Sequence, residues 1–227
     1  MNQPAPRVAI TIPYRPDSER RERNYRAVID HFTTIMPTTD IIPIDTTHER
    51  FNRAGARNAA VNRAHEYDVI VICDADTIIE VEPLQRAITA AASDGLVHNP
   101  FTIIQALDQG SSSRWCKGNR SRASSIFTCD WGVGSAYVTT PNAWWDIGGQ
   151  DERFTGWGFE DTSFSIAHRT LKTPMPRHHG TATQLWHPPS PREGDSDYDA
   201  GILHYTKYLT ADGQTNMIQD LIRGNQP

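Results

Sequence analysis

Val69-Ile70-Val71-Ile72-Cys73-Asp74-Ala75-Asp76 is the stretch on which the fold turns. Its first five residues are apolar and mostly β-branched, without polar alternation. Such a run reads as a strand covered on both faces, as in a parallel sheet flanked by helices. Two carboxylates, Asp74 and Asp76, follow at once. Open α/β sheets bind ligands beyond the C-terminal ends of their strands, so both acids fall where a ligand is expected. Their natural partner is a divalent cation clamped onto a diphosphate. An Asp-x-Asp pair alone is weak evidence, because acids after a strand also cap loops.

Working outward, Val8 to Ile12 is β-rich and ended by Pro13, so it reads as the first strand. Residues 17–32 are highly charged, with Tyr25, Val28, Ile29 and Phe32 at near-helical spacing. Residues 41–44 read as a second strand closed by Asp45, with Pro43 arguing against a central position. Residues 52–66 form an Ala-rich helix whose Ala56, Ala59, Ala60 and Ala64 permit close packing on a sheet. Pro83 opens a helix that ends near Gly95, and residues 96–101 read as a short strand. This alternation predicts an α/β, Rossmann-like fold with a mostly parallel sheet and crossover helices.

The second half changes character. Residues 108–125 read as a Ser/Gly/Arg loop, and 131–140 as a strand rich in small residues. Thr140-Pro141 caps a short helix carrying Trp144 and Trp145 that stops at Gly148-Gly149. Residues 160–171 are expected to be helical, 188–198 a long loop, and 201–209 and 216–223 two closing helices.

With 227 residues, 37% hydrophobic and 22% charged, the chain is long enough for one large domain with a substantial core. A net charge of −5 and a pI near 6.0 argue against a broad polybasic surface for nucleic acid or membrane. Cys73, Cys116 and Cys129 have no zinc-like spacing. The first six residues hold no apolar signal core, and no stretch is long enough to span a bilayer. A reducing cytoplasm is the expected compartment.

Three further features carry chemistry. His187 ends the run Thr183-Gln184-Leu185-Trp186, and a neutral imidazole suits manganese and other transition metals. Gln184 offers an amide oxygen three residues earlier, although the chain has nine histidines, and His178 and His179 are rivals. Glu160-Asp161 opens a helix, where the N-terminus favours the ionised carboxylate that a base requires, although first-turn acids also serve stability. Before it stands Gly156-Trp157-Gly158, an aromatic between two glycines, suited to a loop that swings over a sugar ring.

Taken together these segments resemble the GT-A inverting glycosyltransferases, and most of all the β-1,4-galactosyltransferase family. The likeness covers Pro13-Tyr14-Arg15, Phe51-Asn52-Arg53-Ala54, Asp74-Ala75-Asp76, Gly156-Trp157-Gly158-Phe159-Glu160-Asp161-Thr162, His187, and Leu203-His204-Tyr205-Thr206-Lys207 with Asp212-Gly213. It implies a UDP-sugar donor (UDP-glucose, UDP-galactose or an N-acetyl form) and Mn2+ or Mg2+. It implies a nucleotide-sugar half over residues 7–107 and an acceptor and metal-completing half over 125–227. Pro13, Tyr14, Arg15, Asp45, Phe51 and Arg53 would hold uridine and diphosphate. Asp76 and His187 would bind the metal, with Asp74 and Gln184 beside them. Asp161 would be the base, Glu160 would orient the acceptor, and Trp157 and Gly158 would close over the donor.

Departures from the family pattern bear on the acceptor. Phe159 replaces a glycine and Thr162 an acceptor-binding Asp, so N-acetylglucosamine is not the expected acceptor. Gln184 stands where a Met ligand is typical, and the cysteines and anchor of secretory members are absent, so the chain resembles a compact bacterial or phage version. Arg114, Lys117, Arg120 and Arg122 interleave with Trp115, a pattern able to hold phosphates and stack on a base. A hydroxymethylated base in DNA therefore stands beside a saccharide as acceptor, with Trp131 a further acceptor-side candidate. Three other readings compete. A sugar nucleotidyltransferase wants a Gly-rich phosphate loop, which Pro13-Tyr14-Arg15-Pro16 is not. A glycosidase needs paired carboxylates but no metal set. A non-catalytic UDP-sugar or glycan-binding module has no need of Asp161.

Overall fold

The computed structural model describes residues 5–120, 123–189, 192 and 194–224. Its centre is a sheet of four strands in the order β2-β1-β3-β7: β1 (Val8–Pro13), β2 (Asp40–Ile44), β3 (Val69–Cys73) and β7 (Ala136–Thr139). β1 runs parallel to both β2 and β3, while β7 is antiparallel to β3. β2 is the edge strand, which is why Pro43 is tolerated within it.

β3 shows why the continuous apolar run is needed. Val69, Val71 and Cys73 pack with Val28 and Phe32 of helix α1 (Glu19–Ile35) and Leu84 of α3 (Val81–Asp94). Ile70 and Ile72 face the other way, onto Val61 of α2 (Arg53–Arg63), Trp144 of α5 (Pro141–Asp146) and Phe164 of α6 (Glu160–Leu171). Each fully buried side chain of this kind is worth about 1.5–3 kcal/mol in water removed from apolar surface. The strand is thus a shared wall between two cores, and its acidic continuation emerges at their common rim.

A second sheet, in the order β4-β8-β5-β6, was not foreseen: β4 (Thr77–Ile79), β5 (Ile103–Leu107), β6 (Ser125–Cys129) and β8 (Thr181–Gln184). Only its β5–β8 pair is parallel. The strand expected over 96–101 is reduced to single bridges, His98 to Val138 and Asn99 to Arg177. Pro100 lacks the N–H that a ladder requires, and pairing resumes at Ile103. The strand expected over 131–140 holds only from Ala136, because Gly132 and Gly134 weaken extended structure and Ser135 is left-handed at φ 80°. The loop expected over 108–125 contains helix α4 (Gln109–Trp115), whose N-cap Asp108 accepts from Ser111 N at 2.6 Å. The loop expected over 188–198 ends early. Asp195 caps α7 (Ser196–Ala211), and residues 190, 191 and 193 lie outside the described ones. With α8 (Thr215–Arg223), α7 packs on α6 through Tyr208, Ile218 and Ile166. Among the described residues no helix is long and apolar enough to cross a membrane.

Candidate active site

The turn after β3 is built by backbone bonds. Asp74 N donates to Ser135 O at 2.9 Å, Thr77 N to Asp74 O at 3.1 Å, and Leu185 N to Asp76 O at 2.7 Å. The last bond ties the end of β8 beside Asp76 and delivers His187, whose Nε2 lies 3.7 Å from Asp76 Oδ2. Both side chains remain open, at 49% for His187 and 27% for Asp76. Burial pushes the Asp76 carboxyl up, with His187 the chief opposing influence. Gln184 stands opposite Thr77, but its amide nitrogen donates to Ser135 Oγ at 2.6 Å. A carboxylate and an imidazole form a mixed O/N donor pair suited to manganese. No group of three or more His, Cys, Asp or Glu forms a metal cage among the described residues. The donor set therefore fits a cation that a diphosphate and water help to hold, as magnesium and manganese are bound in phosphate sites.

Beside this pair lies a buried charge network that the sequence did not reveal. Arg57, fully buried on α2, donates to Asp161 Oδ1 at 2.5 Å, Asp74 Oδ1 at 2.8 Å and Gln150 Oε1 at 3.0 Å. Tyr137 Oη and Gln150 Nε2 also donate to Asp161 Oδ1, at 2.5 and 3.1 Å. Burial favours the neutral acid, yet Arg57, Arg53 and these hydrogen bonds prevail and hold the Asp161 carboxyl below its usual range. The other oxygen, Oδ2, faces Gly134, where a Cβ would come within 2.1 Å of it. Gly134 is thus required by close approach, and any side chain there would displace Asp161.

Glu160 behaves differently. It is 2% exposed and salt-bridged to Arg53, and burial raises its carboxyl despite that cation. It faces the arginines of α2 rather than the solvent-open side.

On the donor side, several expected contacts are already engaged. The Tyr14 ring stacks on Tyr25 at 3.9 Å and its hydroxyl donates to Glu22, with burial pushing its pKa up to about 12. Tyr14 is thus held by helix α1. Arg15 Nε donates to both carboxylate oxygens of Asp45, at 3.0 and 2.9 Å, and its terminal nitrogens donate to Thr46 O, His48 O and Glu49 O. Its work is to shape the 45–49 loop. Phe51 is half-buried, with the guanidinium of Arg15 at 5.7 Å and of Arg21 at 5.9 Å from its ring centre.

No family model and no curated protein matches the chain. Solved structures do. Drosophila β-1,4-galactosyltransferase 7, in complex with manganese, UDP-Gal and xylobiose, superposes with a TM-score of 0.55 at 17% identity, covering 86% of this chain and 78% of that one. The catalytic domain of the same enzyme with xylobiose gives a TM-score of 0.53 at 17% identity, covering 86% and 79%. GalNAc-T7 with UDP, GalNAc and Mn2+ gives 0.58 at 10% identity, covering 97% of this chain and 55% of that one. The fold is that of the GT-A glycosyltransferases. At these identities the likeness is one of fold, and the roles of individual residues rest on the geometry above.

Trp157, expected over the donor, and Trp131, expected on the acceptor side, differ in their surroundings. Trp157 stacks on Tyr198 at 6.5 Å and carries the guanidinium of Arg192 at 3.7 Å. Gly156 is required sterically: a Cβ there would meet the backbone of Asp197 and Tyr198 at 2.9 Å. Close packing against the start of α7 is thus one reason for a glycine beside Trp157. Gly158 and Phe159 are both left-handed, at φ 87° and 74°. Phe159 compensates by packing its ring on Tyr198 and Tyr205 at 5.4 and 5.1 Å. Trp131 is 72% exposed and only three residues before Gly134. Trp115, by contrast, packs against the core, with Arg120 lying over its ring at 5.1 Å. Arg114 donates to Ser111 Oγ at 2.9 Å, Lys117 is exposed, and Arg122 lies outside the described residues.

Arg57, Tyr137, Gln150 and Gly134 are the site residues the motifs missed. Arg57 had a legible signal, since it lies four residues after Arg53 and so on the same helix face. The others come from loops and a strand with no pattern of their own.

Proposed function

We propose that the protein is a metal-dependent inverting glycosyltransferase that moves a hexose from a UDP-sugar to a hydroxyl of a saccharide acceptor. The observation that carries this reading is Asp161: ionised, held through one oxygen by Arg57, Tyr137 and Gln150, with the other turned to Gly134, and linked through Arg57 to Asp74. A carboxylate so oriented is the general base that the chemistry needs.

In the reaction, Asp161 Oδ2 takes the proton of the acceptor hydroxyl as that oxygen bonds to the anomeric carbon. The bond from the anomeric carbon to the diphosphate oxygen breaks, and UDP leaves with the electron pair. Attack from the face opposite the leaving group inverts the anomeric configuration, through an oxocarbenium-like transition state. A divalent cation held by Asp76 and His187 would supply positive charge to offset that growing on the leaving diphosphate. Arg57 keeps Asp161 ionised between turnovers, and Phe51 offers an aromatic surface to the base. Residues 7–107 carry the donor contacts, and 125–227 bring Asp161, Trp157 and His187.

A saccharide acceptor is favoured by Trp131, an exposed ring at most about 11 Å along the chain from Gly134. The xylobiose in the Drosophila complex is consistent with such an acceptor. Trp115 is engaged by Arg120 and the core, so a hydroxymethylated DNA base has less to stack on. Incubation with each UDP-hexose and Mn2+, against panels of mono- and disaccharides and hydroxymethylated DNA, tests the reading by mass spectrometry. Saccharide-dependent UDP release is expected. Transfer to DNA alone would replace the acceptor, and no transfer from any UDP-sugar would overturn the function.

A further inference from the structure

The arginines of the donor cleft differ in what they already hold. Arg15 spends its donors on Asp45 and three carbonyls of the 45–49 loop. Arg57 is fully buried between Asp74 and Asp161. Arg53 is engaged by the buried Glu160. Arg15 and Arg57 cannot take a new anion without breaking a partner, and Arg53, 31% open with one nitrogen on Glu160, has its charge already offset by that buried carboxylate. A doubly charged diphosphate nevertheless needs cationic donors besides the metal, since its oxygens lose water on entering the cleft.

Arg21, in the first turn of α1, is the exception. Among the described residues its one salt bridge is to Asp17 at 3.3 Å, and both side chains are about half open, at 42% and 51%. Such an exposed pair holds its arginine by about 1 kcal/mol or less. The guanidinium lies 5.9 Å from the Phe51 ring centre, and the next turn of the same helix reaches the residue before His187, where Asn24 Nδ2 donates to Trp186 O at 3.2 Å. Its helix therefore runs from the aromatic suited to the base to the segment that carries the imidazole suited to the metal, the interval that a nucleoside diphosphate spans.

We propose that Arg21 is the arginine that receives the donor's diphosphate, exchanging Asp17 for phosphate oxygens when the nucleotide binds. The proposal rests on the UDP-sugar reading above and adds a residue that no motif of this chain identified. Two parallel N–H donors of a guanidinium match two phosphate oxygens, which lysine cannot reproduce.

Calorimetry with UDP, UMP and uridine in Mn2+ tests it on wild type, Arg21→Ala, Arg21→Lys and Arg26→Ala. Arg26 lies on the same helix, paired with Glu22 and 73% exposed, so it controls for loss of charge alone. Arg21→Ala is expected to weaken UDP binding about tenfold or more, with uridine affinity unchanged within about twofold. Arg21→Lys should recover part of the loss, and Arg26→Ala should bind UDP like wild type. Wild-type UDP affinity in Arg21→Ala, an equal loss for uridine, or an equal loss in Arg26→Ala would each overturn the assignment while leaving the donor reading intact. Failure of the wild type to bind UDP would instead remove the donor reading, and Arg21's role with it.

Discussion

Arg57 and Asp161, 104 residues apart in sequence, meet at 2.5 Å, and the same guanidinium reaches Asp74 at 2.8 Å. One buried cation thus ties the proposed base to the first acid of the Asp-x-Asp turn. The two halves of the site are held in register by a side chain buried from solvent.

Removing Arg57 should therefore cost stability and chemistry together. Arg57→Ala leaves Asp74 and Asp161 with Arg53 as the one remaining nearby cation among the described residues, and breaking a buried pair in this way costs about 3–5 kcal/mol. Urea unfolding should show that loss. Arg57→Lys is expected to fold better but not to restore turnover, since an ammonium cannot reach three acceptors in one plane.

Asp161→Asn should lower kcat by about a hundredfold or more, with UDP affinity close to wild type, because the base acts in the chemical step alone. Single-turnover kinetics beside calorimetry separate the two effects. Near-normal turnover would sink the assignment of Asp161 as base.

Asp76→Ala should abolish the Mn2+-dependent part of UDP binding, and His187→Ala should weaken it, both with unchanged thermal unfolding in the absence of metal. Neither side chain is part of the hydrophobic core, and both are solvent-accessible. UDP titrations with Mn2+ and with chelator read the difference directly.

Phe159 offers a test of backbone strain. A non-glycine residue in the left-handed region costs about 1 kcal/mol relative to glycine. Phe159→Ala keeps that cost and loses the contacts with Tyr198 and Tyr205, whereas Phe159→Gly loses the contacts alone. The alanine variant is expected to be the less stable by about 1 kcal/mol, measured by denaturant midpoint. Equal midpoints would mean that the turn relaxes.

Stability should fall with acid in two stages. His168 is buried, with Nδ1 placed to donate to Thr173 O at 2.6 Å and Nε2 accepting from Val97 N at 3.3 Å. Burial lowers its pKa from the ordinary 6.5, and a second ring proton would oppose the Val97 N–H. Its contribution is complete above pH 6.5 and declines as pH falls below that value. Asp151 enters later. Burial raises its pKa, but bonds from Arg153, His204 and Tyr208 outweigh this and depress it below the ordinary 3.8. Its contribution persists down to about that pH and is lost as pH falls further, through the depressed value. His168→Gln should flatten the first stage of the unfolding midpoint against pH, and Asp151→Asn the second.

What the sequence by itself determined was local. The Val69–Cys73 run needs no partner to be named as a doubly covered strand, since five successive apolar residues have no polar face to offer water. Asp74 and Asp76 then follow at the strand end by covalent connection, and the cap Thr140 was legible because it acts on Ala143, three positions away. The same locality explains the misses. β5 and β6 pair across a sheet that no single segment announces, and residues 96–101 lost their strand to Pro100 and to the availability of Ile103 nearby.

Only the tertiary structure decided which charges meet. Arg15, Arg53 and Arg57 are alike in sequence, yet one shapes a loop, one is engaged by Glu160, and one holds Asp74 and Asp161. Trp115 and Trp131 are equally aromatic, but one lies against the core under Arg120 and the other stands in solvent. The physical reason is that a charge or a ring has no function until its partners and its share of water are set. Both depend on residues brought together from α2, β3, β7 and α6, and so on packing over distances that sequence periodicity does not encode.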